Sequence, residues 1–301
     1  MDKNIKMISL EIFQFAFMQR ALITGTAMAI LCSIIGLFLV LRRQSLFGDA
    51  MSHVAFGGIA FGLFVNLYPI WTAFIVSVLA ALGITKLRES TKIPPDSAIA
   101  VLLSSGLALG VVLISLSKGF NLDLFSFLFG SILLVGFQDE ITVLVLSFAI
   151  VLIIFFSYKK LMYITFNEEQ AKVSGLDVSK MNYLFIILSS ITVITSIRLV
   201  GVLLISSLLV IPNITAIMFG KGFRKTALIS IIIAVCSVEI GIVLSYVLDI
   251  APGGAIVLVS IIIFIIIISV KSIVGLLVKK QPDFEKNKLD RYERTSGDSI
   301  S

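Results

Sequence analysis

The 301-residue chain has one histidine, two cysteines, one tryptophan and six prolines. The scarcity of histidine and of cysteine each closes a class of function. A lone histidine cannot build a multi-histidine metalloenzyme centre. The cysteines, Cys32 and Cys236, both fall inside apolar runs. Two such thiols do not make a disulfide framework or a four-cysteine zinc site, and they read as buried packing residues. Charge is scarce as well: Asp, Glu, Lys and Arg make up 14% of the chain, against roughly 25% in a soluble domain. No G-x-x-x-x-G-K-[ST], H-E-x-x-H or G-x-S-x-G pattern occurs. The nearest approach to a phosphate loop, 220–226, has the wrong spacing. The chain therefore has no apparent means of hydrolysing ATP and no nucleophile–base set for catalysis.

What the chain does have is apolar length. It is 58% hydrophobic, with a mean hydropathy of +1.10, and runs of about 18 or more apolar residues recur from end to end. This pattern predicts an all-α, polytopic membrane protein with about eight or nine spanning helices. The expected spans are 20–41, 51–67, 69–87, 96–117, 138–157, 182–197, 199–217, 226–248 and 254–275. The stretch 182–217 is too long for one helix, and Arg198 suggests a tight turn within it. Residues 122–136 are apolar but short, as in a re-entrant element, which requires protein to cover its backbone. The layout is an N-terminal segment 1–16, a membrane domain 17–276 and a polar, disordered tail 277–301. The start of the chain lacks a cleavable-signal pattern.

The net charge of +6 invites a nucleic-acid reading, but its distribution argues for membrane topology. Most of the 24 Lys and Arg residues fall at 42–50, 86–95, 158–181 and 219–225 and beyond 271. The positive-inside rule makes that side cytoplasmic. The C-terminus is then inside; nine spans place the N-terminus outside, and the loss of one short span would place it inside.

The lone histidine, His53, follows Asp49 by four residues. At that spacing both side chains share one helix face, and both are donors for a divalent cation. The pair reads either as a transient metal site or as an N-cap aspartate beside a histidine bonded to backbone. Ionisable residues within membrane segments favour the first reading. Two donors are too few for a structural zinc site, and a second copy of the chain would supply two more. Glu239, deep in an apolar run, reads as a hydrogen-bonding group or as a secondary metal contact. Gly48, Gly57, Gly58 and Gly62 read as close helix packing. Asp96, after Pro94 and Pro95, reads as an N-cap. Asp139, Glu140 and Asp249 read as charges at helix ends. In the polar stretch 158–181, Glu168 and Lys172 favour a short helix that Gly175 ends. Such a helix is either a connector or a handle for a soluble partner.

Residues 41–62, Leu-Arg-Arg-Gln-Ser-Leu-Phe-Gly-Asp-Ala-Met-Ser-His-Val-Ala-Phe-Gly-Gly-Ile-Ala-Phe-Gly, resemble the signature of the permease subunits of zinc/manganese ATP-binding-cassette importers. Residues 17–22, 165–176 and 201–216 fit the same family, whose late helix often has Ala-Ala where this chain has Asn213-Ile214. The resemblance spans about 16–275. It implies a type II importer-like permease that acts as a homodimer and binds no cofactor or nucleic acid of its own. A separate cytoplasmic ATPase would dock through the 166–176 coupling segment, including Glu168, Glu169, Gly175 and Leu176. An extracytoplasmic metal-binding protein would deliver the ion. Asp49 and His53 would be pathway residues, and Arg42-Arg43-Gln44-Ser45-Leu46 looks more like the zinc branch than the manganese branch.

Overall fold

A computed structural model describes residues 14–91, 93–117, 127–131, 136–202 and 205–273. Nearly all of them are helical. In order, the helices are α1 (Ala16–Leu41), α2 (Phe47–Val65), α3 (Pro69–Thr91), α4 (Pro95–Leu116), α5 (Phe137–Phe166), α6 (Glu168–Val173), α7 (Val178–Val200), α8 (Ile205–Ile217) and α9 (Phe223–Leu248), followed by α10 (Pro252–Ile273). Eight of these are long and apolar enough to cross a membrane, and α8 is shorter. Its 13 residues rise about 20 Å at 1.5 Å per residue, less than the roughly 30 Å hydrocarbon core. The expected tail, 277–301, lies outside the described residues, as does most of the 1–16 segment. The chain forms two compact units, 1–260 and 261–301. Of the second, 261–273 is described and is apolar, exposed helix.

Within the first unit, α1 and α2 lie at the centre. Met18, Ala21, Leu31, Cys32, Ile35 and Phe38 of α1 are buried, as are Phe47, Ala50, Met51, Ala55 and Ile59 of α2. The outer helices instead expose Phe148, Phe155 and Phe156 of α5 and Leu228 and Ile232 of α9. Apolar side chains on all faces suit helices whose outer surface meets lipid.

Three boundaries differ from the sequence reading, each for a local reason. First, α2 begins at Phe47 rather than 51, so the 42–50 connection shrinks to 42–46. Arg43 turns it in the left-handed region, with φ +58°. Second, 158–181 is not an open loop. No Gly or Pro interrupts 158–166, Leu161 and Ile164 are buried, and α5 runs on to Phe166. Third, the turn expected around Arg198 comes later: α7 continues to Val200 and stops at Gly201, with φ +86°. A Cβ there would lie 2.6 Å from the Gly130 nitrogen and the Phe129 carbonyl carbon. The Val202 N–H donates to the Phe127 carbonyl at 2.9 Å. The described part of the proposed re-entrant segment is thus backed by protein, as its backbone requires. Gly201→Ala combines a left-handed backbone with a backbone collision, and is expected to lower stability by about 3 kcal/mol, read as a lower unfolding temperature in detergent.

Two smaller readings also change. Asp96 does not cap α4: Pro94 occupies that position, and Asp96 sits in the first turn without a capping bond. Cys236 is exposed on the outside of α9, whereas Cys32 is buried beside Ser196 Oγ at 3.3 Å. Burial raises the cost of a polar group without a partner, and the α1–α8–α9 contact meets that cost with a chain of hydroxyls and an amide. Ser33 donates to Ser230 at 2.8 Å, Ser230 donates to the Asn213 Oδ1 at 2.7 Å, and the Asn213 amide donates to the Leu209 carbonyl at 2.8 Å. Asn213, where the resembling family often has alanine, has room because Gly36 faces it without a side chain.

Candidate functional site

The first turns of α2 present Asp49 and His53. Leu46 occupies the N-cap position and Asp49 lies in the first turn, so Asp49 is not a capping residue. Its charge is nonetheless well placed at the positive end of the helix. His53 follows one turn later, with its Nε2 3.9 Å from Asp49 Oδ1. That gap is too long for a hydrogen bond, so neither group uses up the other's donor atoms. Two ligands bound to one ion at 2.0–2.2 Å sit roughly 3–3.5 Å apart, within reach of a small rotamer change. The side chains keep 15% (His53) and 32% (Asp49) of their exposure, which leaves both accessible within a packed bundle.

The backbone around the pair is fixed by glycines on three sides. Gly48 faces Leu209 and Ser206 of α8. Gly58 and Gly62 admit Ala73, Pro69 and Thr72 of α3, as the small-residue spacing predicts. Gly57 meets Gly106 and Gly110 of α4, and a Cβ on Gly106 would lie 2.7 Å from the His53 carbonyl carbon. On a fourth side Ser190 of α7 donates to Met51 Sδ at 3.4 Å. The α4 glycines were missed in the sequence, although their i,i+4 spacing marks the same small-residue pattern.

Glu239 does not join this pair. Its carboxylate accepts a hydrogen bond from Thr26 Oγ1, linking α9 to α1. Among the described residues no group of three His, Cys, Asp or Glu side chains gathers. Glu140 lies 3.7 Å from Arg20, and Asp139 accepts from the Gly136 N–H at the start of α5.

The 166–176 segment folds as its residues dictate. Asn167 breaks α5 with an extended backbone and caps α6 by accepting from the Gln170 N–H at 3.0 Å. Glu168 and Lys172 pair at 3.1 Å. At the other end Gly175, with φ +82°, donates to the Lys172 carbonyl, and the Leu176 N–H donates to the Ala171 carbonyl. These two bonds form a Schellman closure. Ala171, Ile164 and Val178 pack beneath it with Leu176. Glu168 and Glu169 remain exposed on α6, and Glu168, about half exposed, borders the cavity beside Arg42.

Arg42 connects the two regions. It ends α1, yet its guanidinium donates to Thr165 at the foot of α5 (3.0 Å) and to Asn182 at the start of α7 (2.9 Å). It also lies 4.5 Å from the centre of the Phe185 ring. Burial pulls its pKa down to about 10, so it remains charged at neutral pH. The third nitrogen, Nη2, and Gln44 Oε1 are buried without protein partners. Both residues line a cavity of about 600 Å³ beside α6, large enough for waters to satisfy them. From the sequence, Arg42 had meaning as a topology charge and as part of the resembling motif, not as a link between α1, α5 and α7.

A family model described as the ABC 3 transport family matches residues 14–271. The manganese transport system membrane protein MntC of Listeria monocytogenes is 32% identical over 91% of this chain and 98% of its own length. The high-affinity zinc uptake system membrane protein ZnuB of Haemophilus influenzae is 30% identical over 84% and 97%. The solved structure of PsaBC from Streptococcus pneumoniae in complex with Fab superposes with a TM-score of 0.76 at 33% identity, over 86% of this chain and 93% of that one.

Proposed function

Because this chain belongs to the ABC 3 transport family, the permeases of ATP-binding-cassette metal importers, we propose that it passes a divalent first-row transition-metal ion through a path at Asp49 and His53, with zinc as the cargo. The observation that carries this reading is the pair itself: a carboxylate and an imidazole 3.9 Å apart, not bonded to each other, on a helix held by close backbone contacts. Asp49 offsets the ion's charge where unpaired charge is costly. His53 adds a nitrogen donor that suits zinc and disfavours magnesium and calcium. Two donors per chain leave an ion loosely held, as release requires, and a second copy would bring two more.

Two copies of the chain would form the pathway. A cytoplasmic ATPase would act on α6, with Glu168, Glu169, Gly175 and Leu176 at the contact, and an extracytoplasmic protein would present the ion. The C-terminus and α6 would lie on the cytoplasmic side. Arg42 gives force on α6 a physical route: it holds α5 and α7, which flank α6, to the end of α1, and the short 42–46 connection then enters α2. Manganese is the second reading, favoured by the name of the Listeria relative. The metal content of cells lacking the gene, grown in metal-poor medium, separates the two. Zinc is expected to fall and to recover with the restored gene. Recovery of manganese alone would replace zinc as the cargo, and no change in any metal would remove the importer reading.

A further inference from the structure

Two concavities on the outside of the bundle share a wall. The first is a bowl of about 790 Å³ between the end of α5 and the start of α9. Lys159, Lys221, Arg224 and Lys225 line it, with no acidic residue among its lining, and all four are exposed. The α9 N-terminus opens into the same place, and its N-cap Gly222 provides no side-chain cap, so its first amides add to the positive potential. The second is a groove of about 760 Å³ between α1, α5 and α9. Its walls are apolar, with Ile34, Ile154, Phe155 and Ile231 among them. Tyr158, Lys159, Phe223 and Arg224 line both, so the cationic bowl opens directly onto the apolar groove. The Tyr158 and Phe223 rings, 5.5 Å apart, mark the join.

We propose that this composite is a binding site for an anionic phospholipid, with its phosphate in the bowl and an acyl chain along the groove. Charge and depth choose this occupant. The groove belongs to helices that span the membrane, which a free anion or a soluble protein does not enter. A two-fold contact centred on the patch would set its four cations against four. A basic pocket at the ends of membrane helices, above an apolar channel, matches both parts of an anionic lipid. The sequence reading treated these charges only as topology signals.

The test uses the full chain in lipid nanodiscs. Trp71, the one tryptophan, is replaced by phenylalanine, and Phe155→Trp places a reporter in the groove. Quenching by brominated phosphatidylglycerol is compared with quenching by brominated phosphatidylcholine. The anionic lipid is expected to be preferred on the order of tenfold at residue 155, and the preference is expected to vanish in Lys159→Gln/Arg224→Gln/Lys225→Gln. Single replacements, each expected to cost part of the preference, serve if the triple variant does not fold. A Val101→Trp reporter on exposed α4 is expected to show little preference. Equal preference at 101 and 155 would mean diffuse attraction and overturn the site. Loss of the preference in millimolar inorganic phosphate would assign the bowl to free anions instead. Quenching by neither lipid would mean that a second copy covers the groove. None of these outcomes depends on metal transport.

Discussion

Gly106→Val is expected to abolish metal import and to destabilise the folded chain by about 3 kcal/mol, although residue 106 donates nothing to an ion. The cause is geometric. A Cβ at 106 would stand 2.6 Å from the Val54 nitrogen and 2.7 Å from the His53 carbonyl carbon. Both neighbours are backbone, so no rotamer change relieves the collision. Either α4 moves away from α2, opening the contact at Gly57 and Gly110, or α2 shifts and carries Asp49 and His53 with it. Gly83→Ala on α3 is the matched control, because nothing lies within 4 Å of its added methyl. It is expected to be neutral or to stabilise by roughly 0.5–1 kcal/mol through reduced backbone freedom. Thermal unfolding in detergent and uptake at equal membrane abundance check both variants. Normal uptake by Gly106→Val would show that the α2–α4 contact does not position the pair.

Arg42→Ala is expected to reduce import more than tenfold and to cost about 3 kcal/mol, the scale of losing charge-assisted hydrogen bonds in a buried setting. It strips partners from Thr165 and Asn182 together, and so releases both stems of α6 from the end of α1. Arg42→Lys is expected not to restore coupling. A lysine keeps the charge but not the planar fork that reaches two partners while stacking on Phe185. Arg43→Ala, at the exposed neighbouring position, is expected to stay within about 0.5 kcal/mol of the parent. The distinguishing readout is ATP hydrolysis by the assembled complex. Hydrolysis that continues without import is expected for Arg42→Ala. A fall of both in step, with the protein stably folded, would mean that Arg42 serves docking rather than transmission.

Eight of the nine expected spans were legible because hydropathy marks them; 199–217 was not, since α8 has only 13 residues. The short helix within 166–176 was legible from the Glu168–Lys172 spacing and Gly175, although its Asn167 cap was not read. Asn167, the Glu168–Lys172 pair and Gly175 are local devices whose partners lie within a few positions. Less could be read where partners are distant in sequence. Arg42 looks like any loop arginine until Thr165 and Asn182 fold against it. The Gly106–Gly110 spacing signals close packing, but only the fold shows that it meets His53, and Asn213 acquires its role only from Ser33, Ser230 and the absent side chain of Gly36. Cys236 misled because an apolar helix in lipid has an exposed face with the same composition as its buried one. The shortness of α8 was hidden in the same way, since Gly201 ends α7 through a contact with residues 127–130 that no local pattern announces.

Uptake of radioactive zinc and manganese by cells expressing His53→Ala or Asp49→Asn, at membrane abundance and ATPase association matched to the parent, tests the central claim most directly. Each variant is expected to lose uptake by at least about tenfold, the scale of removing a ligand or its close support, with the complex intact. Uptake equal to the parent in both variants would contradict a metal path through Asp49 and His53.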